Sequence, residues 1–287
     1  MLNRDFLSER TPFWQVIPTL GFYGLFFFLP LVILFVVSFW SMRGFSLVVG
    51  FTLSNYIEGT TSNLYTSVLV RTIVVGFTTA CLVLPVSYWT AYLMRFVFER
   101  QAQLLLEIIL VSMFSGYLVR IYAWRTILGR EGILNSILLE LRLIDEPLEF
   151  LIFSHWAVII TLVGLLIPLA VLPVYSSMSN VSREHLDVAR DLGSGPLHLH
   201  RTVLIPMTVP GLKAAFAFAF LLAAGDFVVP ALVGGTQGLM VGNVIADQFR
   251  GIGSNWPLGA ALAFLVMLGV MCIYLLTTRM IRFVSRW

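Results

Sequence analysis

The sequence predicts an all-α, polytopic membrane protein with six transmembrane helices. Three observations carry this. Hydrophobic residues make up 59% of the 287 residues and charged residues only 11%, against about 45–50% and about 25% in soluble domains. The mean hydropathy is +0.91. Six separate runs each reach the roughly 20 apolar residues that a helix needs to cross a hydrocarbon core of about 30 Å. So much apolar surface has no place in a soluble core that must also cover itself with polar groups. A soluble enzyme, a disordered chain and a secreted disulfide scaffold are therefore disfavoured.

The runs are 16–40, 68–94, 104–128, 155–178, 204–233 and 258–281. They leave an N-terminal segment 1–15, one six-helix domain over 16–281, and a tail 282–287. Helices fit because backbone groups in lipid must be satisfied within their own segment, and the alternation of a barrel strand is missing. The first run follows Arg4 and Arg10 but is far longer than the 7–15-residue core of a signal peptide. Ser38-Phe39-Trp40 also offers no small-residue cleavage pattern, so this is an uncleaved first span. Leu151–Phe153 extends the fourth run. Cys81 and Cys272 lie in the second and sixth runs and read as buried small apolar residues rather than a disulfide. Orientation follows from arginines in short loops and flanks. With the N-terminus in the cytoplasm, ten lie inside (Arg4, Arg10, Arg95, Arg100, Arg183, Arg190, Arg201, Arg279, Arg282 and Arg286). Four lie outside (Arg43, Arg130, Arg142 and Arg250). Both termini are thus expected in the cytoplasm. The net charge of +3 is no nucleic-acid footprint.

The cytoplasmic loop 180–202 is too patterned for a bare connector. Ser182 precedes a helix whose start carries Glu184 and Asp187, which suits the positive end of the helix dipole. Leu186, Ala189 and Leu192 recur three apart, and Val188 and Leu192 four apart. Gly193 ends the helix where a left-handed residue is wanted. Gly195-Pro196 opens a second helix with proline at its first position, and Pro206 and Pro210 shape the start of the fifth span. An amphipathic helix, a turn and a second helix can dock in a partner or rest on lipid headgroups.

Asp187-Val188-Ala189-x3-Gly193-x9-Val203-x-Ile205-Pro206 resembles the EAA signature of binding-protein-dependent ABC importer permeases. There the pattern is Glu-Ala-Ala, three residues, Gly, nine residues, then Ile-x-Leu-Pro. The spacing matches throughout, with Asp for Glu, Val for Ala, Val for Ile and Ile for Leu. The resemblance covers roughly 60–281 and implies a type I importer permease in a bacterial inner membrane. It implies that this loop, through Glu184, Asp187, Ala189, Leu192, Gly193 and Pro206, couples to an ATPase dimer. It further implies a second homologous permease and a periplasmic or extracellular solute-binding protein. The only lysine, Lys213, sits in Gly-Leu-Lys-Ala, so a phosphate-cradling loop ending Gly-Lys-Ser/Thr is absent from the sequence. The chain is not expected to be an enzyme or to hold a cofactor or metal; ATP and magnesium would bind the partner.

The segments Ser115–Trp124, Gly129–Asn135, Gly225–Pro230, Met240–Phe249 and Asn255–Ala261 resemble the spermidine/putrescine branch, with Asp226 where Glu is usual. In the family, the segment after Gly234-Gly235 forms part of an outer gate; a plain loop with one short helix is the alternative. Ionisable groups within spans are costly and mostly face a bundle interior or pathway. Arg71 and Lys213 sit near span ends, where snorkelling suffices. Glu107 lies one turn into the third run, and Arg120 and Arg125 near its outer end. Asp226 lies well inside the fifth run; it pairs with an arginine, keeps a proton, or lines a cation's path. Tyr117, Tyr122 and Trp124 offer aromatic faces to a polyammonium chain, or form an interfacial belt. The same importer class carrying an opine or another cationic amine is the main alternative. An ion-coupled secondary transporter would need no such docking loop, and the four histidines form no metal pattern on a span.

Overall fold

The computed structural model describes residues 13–44, 46–250 and 254–284. Arg4, Arg10 and Arg286, which contribute to the orientation argument, lie outside them, as does most of segment 1–15. The chain divides into two units, 1–62 with 245–265, and 63–244 with 266–287.

In the first unit, α1 (Phe13–Tyr23) runs through a π-turn at Gly24–Phe28 into α2 (Leu29–Val37). The first predicted span is thus one helical run, ending three residues early. Its side chains from Ile17 on, Phe26 and Ile33 among them, are largely exposed, as suits a helix whose surroundings are apolar. Strands β1 (Ser41–Arg43) and β2 (Ser46–Val48) then pair antiparallel, with Ser41 opposite Val48. In α3 (Ser54–Thr61), buried Asn55 donates from Nδ2 to the carbonyls of Ser38 (2.9 Å) and Trp40 (2.7 Å). It thereby satisfies acceptors that the end of α2 leaves open. At Gly59 a Cβ would lie 2.8 Å from Leu265 Cδ1, so this leucine's tip packs directly on the α3 backbone.

The second unit begins with α4 (Asn63–Tyr92), extended by a π-turn at Leu93–Val97. There follow α5 (Ala102–Phe114), α6 (Tyr117–Leu128), α7 (Ile133–Glu140) and α8 (His155–Ser179). Then come α9 (Arg183–Asp191), α10 (Pro196–Leu199) and α11 (Ile205–Gly225). Finally α12 (Val241–Arg250) and α13 (Trp256–Val284) each contribute to both units. Ser154 caps α8, its Oγ accepting from Ala157 N at 3.1 Å.

The core of this unit lies where α4, α8 and α11 meet. On α11, Gly211, Ala215, Ala219 and Ala223 are buried and recur four apart, so they share one face of the helix. Small residues so placed let backbones approach closely, the usual packing device where lipid removes the hydrophobic driving force. A Cβ on Gly211 would meet the Pro173 carbonyl oxygen, and would sit 2.6 Å from Ser177 Cβ. Beside this stripe Phe216 and Phe220 are fully buried among Ala80, Val83, Ala170 and Val174.

Three expectations need correction. The third predicted span is not continuous: Glu99–Phe114 and Tyr117–Glu140 form a pair bent by 94° at Ser115-Gly116, so among the described residues there are five continuous candidate spans and a sixth only if the bent pair counts as one. Hydropathy runs straight across such a break. The fifth helix stops at Gly225 rather than Val233, and a short π-turn at Pro230–Gly234 follows the break. Cys81 and Cys272 are free, but exposed rather than buried; in a membrane chain an apolar run does not distinguish a lipid-facing side chain from a core one.

Candidate functional site

The 180–202 loop is built as its residues suggest, with two differences. Ser182 occupies the cap position, but its hydroxyl bonds His185 Nδ1 at 2.6 Å and not a backbone N–H. Glu184 lies in the first turn, whereas Asp187 sits one turn on and accepts from Arg190 Nη1 at 3.0 Å. The helix ends in a complete Schellman motif: Ser194 N donates to Ala189 O (3.0 Å) and Gly193 N to Arg190 O (2.8 Å), with Gly193 at φ +82°. Gly195 caps α10, which begins with Pro196.

The apolar residues of the loop divide between two directions. Leu186 (3% exposed) and Ala189 pack with Val181, Leu199 and Leu204 against Tyr92 and Phe96. Leu192 and Leu197 stand 82% and 83% exposed, with Val188 also open. One face therefore seats the loop on the bundle and the other presents leucines with nothing on them. Ala189 belongs to the seating face, Leu192 to the open one, and Pro206 lies in the first turn of α11.

Two contacts fix this element that no local sequence pattern announces. Glu99, between α4 and α5, accepts from Arg95 Nη1 at 2.9 Å and from Arg183 Nη2 at 2.7 Å. His200 Nδ1 lies 2.6 Å from Tyr88 Oη, with the rings of Trp89 and Tyr92 at centroid distances of 5.0 and 4.7 Å. Glu99 and Arg183 lie 84 positions apart and Tyr88 and His200 lie 112 apart, beyond the reach of helical or strand periodicity.

At the end of α11 the other candidate residues sort themselves. Asp226 is the residue at which the helix breaks. Its Oδ1 accepts from Val228 N (2.8 Å) and Val229 N (3.0 Å), so the carboxylate caps the next turn. Its Oδ2 accepts from the Tyr117 hydroxyl, which joins this break to the one at Ser115-Gly116. Among the described residues no arginine or lysine nitrogen lies within 4.0 Å of Asp226, so the arginine pair, one of its three readings, is not made. Asn243 Nδ2 donates to Phe227 O at 2.7 Å, and Val241 N to Thr72 Oγ1 at 2.8 Å, which ties the start of α12 to the break. Tyr122 is exposed on α6, away from this cluster. Trp124 packs against α8, its indole where a Cβ on Gly164 would stand. Glu107 is exposed and accepts from Gln103 at 2.9 Å. Neither Trp124 nor Glu107 joins Asp226. Arg125 lies 6.0 Å from the Phe153 ring centroid, a cation–π contact.

Residues 57–286 match the family described as "Binding-protein-dependent transport system inner membrane component". The chain is 36% identical over 262 residues to the spermidine/putrescine transport system permease protein PotB of Escherichia coli (strain K12), covering 90% of this chain and 94% of that one. It is 32% identical to the protein of the same description from Haemophilus influenzae, over 88% of each. Among solved structures, a bacterial ABC transporter involved in the import of the acidic polysaccharide alginate shares the fold, with TM-score 0.73 over 94% of each chain at 13% identity.

Proposed function

As the chain belongs to the family of binding-protein-dependent transport system inner membrane components, we propose that it is the permease of an ATP-driven importer that carries a polyamine of the spermidine/putrescine class. It performs no bond chemistry itself. Both termini lie in the cytoplasm, where the 180–202 loop docks on a partner ATPase dimer that binds ATP and magnesium. A second homologous permease completes the pathway, and a solute-binding protein delivers cargo from outside.

The observation that carries the reading is the split loop. Leu186 and Ala189 seat it on α4 while Leu192 and Leu197 remain open beside the Gly193 turn. Motion imposed on those leucines passes through a turn whose hydrogen bonds are all made, into the bundle. The cargo class rests on the relatives and on Asp226, a carboxylate at a helix break with a phenol and two amides for partners. A polyammonium ion supplies the positive charge that the neighbouring side chains do not. Tyr117 adds an aromatic face beside it.

Uptake of labelled spermidine and putrescine at low external concentration tests this, with the gene deleted and restored. Saturable uptake is expected to disappear and to return with the wild type, but not with Gly193→Val. Unchanged uptake in a strain that lacks other polyamine systems would remove the cargo and leave the docking loop to be judged on ATPase copurification.

A further inference from the structure

A cavity of about 540 Å³ opens between α4 and α8, at the end of the bundle away from the 180–202 loop. Arg71, His155 and Gln237 form its polar end; Val74, Thr78, Trp156 and Ile159 wall the rest. Arg71, Val74 and Thr78 lie three and four apart on α4, and His155 and Ile159 four apart on α8, so each helix presents one face to the cavity.

The depth of this arrangement matters. The helix Asn63–Val97 has 35 residues, about 52 Å at 1.5 Å per residue, against a hydrocarbon core of about 30 Å. Centred on that core, it projects about 11 Å on either side. Arg71 lies eight residues along, about 12 Å from its start, and so stands at the hydrocarbon boundary with its guanidinium in snorkelling reach of the headgroups, with Val74 and Thr78 below it in hydrocarbon. Trp156 has the usual interfacial position of its residue type, and α8 begins here with the positive end of its dipole.

Arg71 is only partly used by the protein. Its Nη1 donates to Leu239 O at 3.3 Å, and no carboxylate oxygen lies within 4.0 Å among the described residues. A guanidinium with donors to spare, set over an apolar slot at headgroup depth, matches an amphiphile with one negative head and a hydrocarbon tail. We propose that this cavity binds an anionic phospholipid. Its phosphate rests on Arg71 and the first turn of α8, and one acyl chain runs along Val74, Thr78, Trp156 and Ile159. The site shares no residue with the Asp226 break or the 180–202 loop, and its test does not depend on what the importer carries.

The whole importer, delipidated in detergent, is titrated with phosphatidylglycerol and separately with phosphatidylcholine, and lipid adducts on this chain are counted by native mass spectrometry. One phosphatidylglycerol is expected to be held at least tenfold more tightly than phosphatidylcholine. Arg71→Gln should abolish that preference. Val74→Trp, at an exposed position that lines the slot, should remove both lipids. Both variants are first confirmed to assemble with their partners. Equal binding of the two lipids by the wild type would overturn the proposal, as would a preference that survives Arg71→Gln. Displacement of the adduct by millimolar inorganic phosphate would show a free-anion site instead. Absence of any held lipid in the wild-type importer would show that a protein surface fills the slot.

Discussion

Replacement of Gly193 separates backbone conformation from side-chain bulk. Gly193 adopts φ +82°, and a Cβ built there meets no heavy atom within 4 Å. A substitution is therefore disfavoured within this chain by conformation alone. A non-glycine residue in the left-handed region costs roughly 1–2 kcal/mol, with alanine near the lower figure and β-branched valine near the upper. Asparagine tolerates the region best. Opening the Schellman turn exposes little buried surface, so the cost falls on the local equilibrium of the loop rather than on global unfolding. A cost of about 1–2 kcal/mol lowers the weight of the correctly turned loop by roughly 5- to 30-fold. In purified, reconstituted importers, ATP hydrolysis stimulated by the solute-binding protein should fall in the order Gly, Asn, Ala, Val. Thermal stability should stay nearly constant across the series. Equal loss in Gly193→Asn and Gly193→Val would refute the conformational argument and point to a groove in the partner too narrow for any side chain.

The same geometry sets four further outcomes. Leu192→Asp, at a position 82% exposed, should leave expression and folding unchanged and abolish copurification of the ATPase in pull-downs. Asp226→Asn keeps an oxygen for the amides of Val228 and Val229 but loses the charge; uptake should fall steeply while melting is unaffected, whereas Asp226→Ala should also lose about 1 kcal/mol of cap stability. Gly211→Leu drives a side chain into Ser177 and the Pro173 carbonyl and should destabilise the bundle by about 1–3 kcal/mol or more, seen as loss of folded protein in detergent. Glu99→Gln weakens ion pairs with partly buried Arg95 and exposed Arg183, each of order 1 kcal/mol or less, so its effect on melting should be small and should shrink in high salt.

Much of the fold was legible because lipid and backbone chemistry leave few choices. Apolar runs of sufficient length placed four helices within a few residues and the start of a fifth, and Gly193 with Gly195-Pro196 announced the turn and both helices around it. The break at Ser115-Gly116 was not legible from hydropathy, since Met113-Phe114 before it and Leu118-Val119 after it keep the window average apolar across it. Asp226 was read as a charge within a span for the same reason; its true position is the first residue after one, where a carboxylate caps the next helical turn. The division of α9 into a seating face and an open face needed the bundle, because periodicity reports an apolar face without saying which part meets the same chain. Tyr88–His200 and Glu99–Arg183 depend on helices converging from distant parts of the sequence, and no local spacing encodes them.

The seam at Gly211 bears on where an importer of this kind can bend. At Gly211 no side chain separates α11 from the backbone around Pro173 and Val174, so at this point the two helices cannot slide past one another without a backbone clash. Freedom to bend is then greater where the helices are interrupted than at this seam. Two such interruptions lie at Ser115-Gly116 and at Asp226, and the Tyr117 hydroxyl fastens one to the other, so a change at either is felt at both.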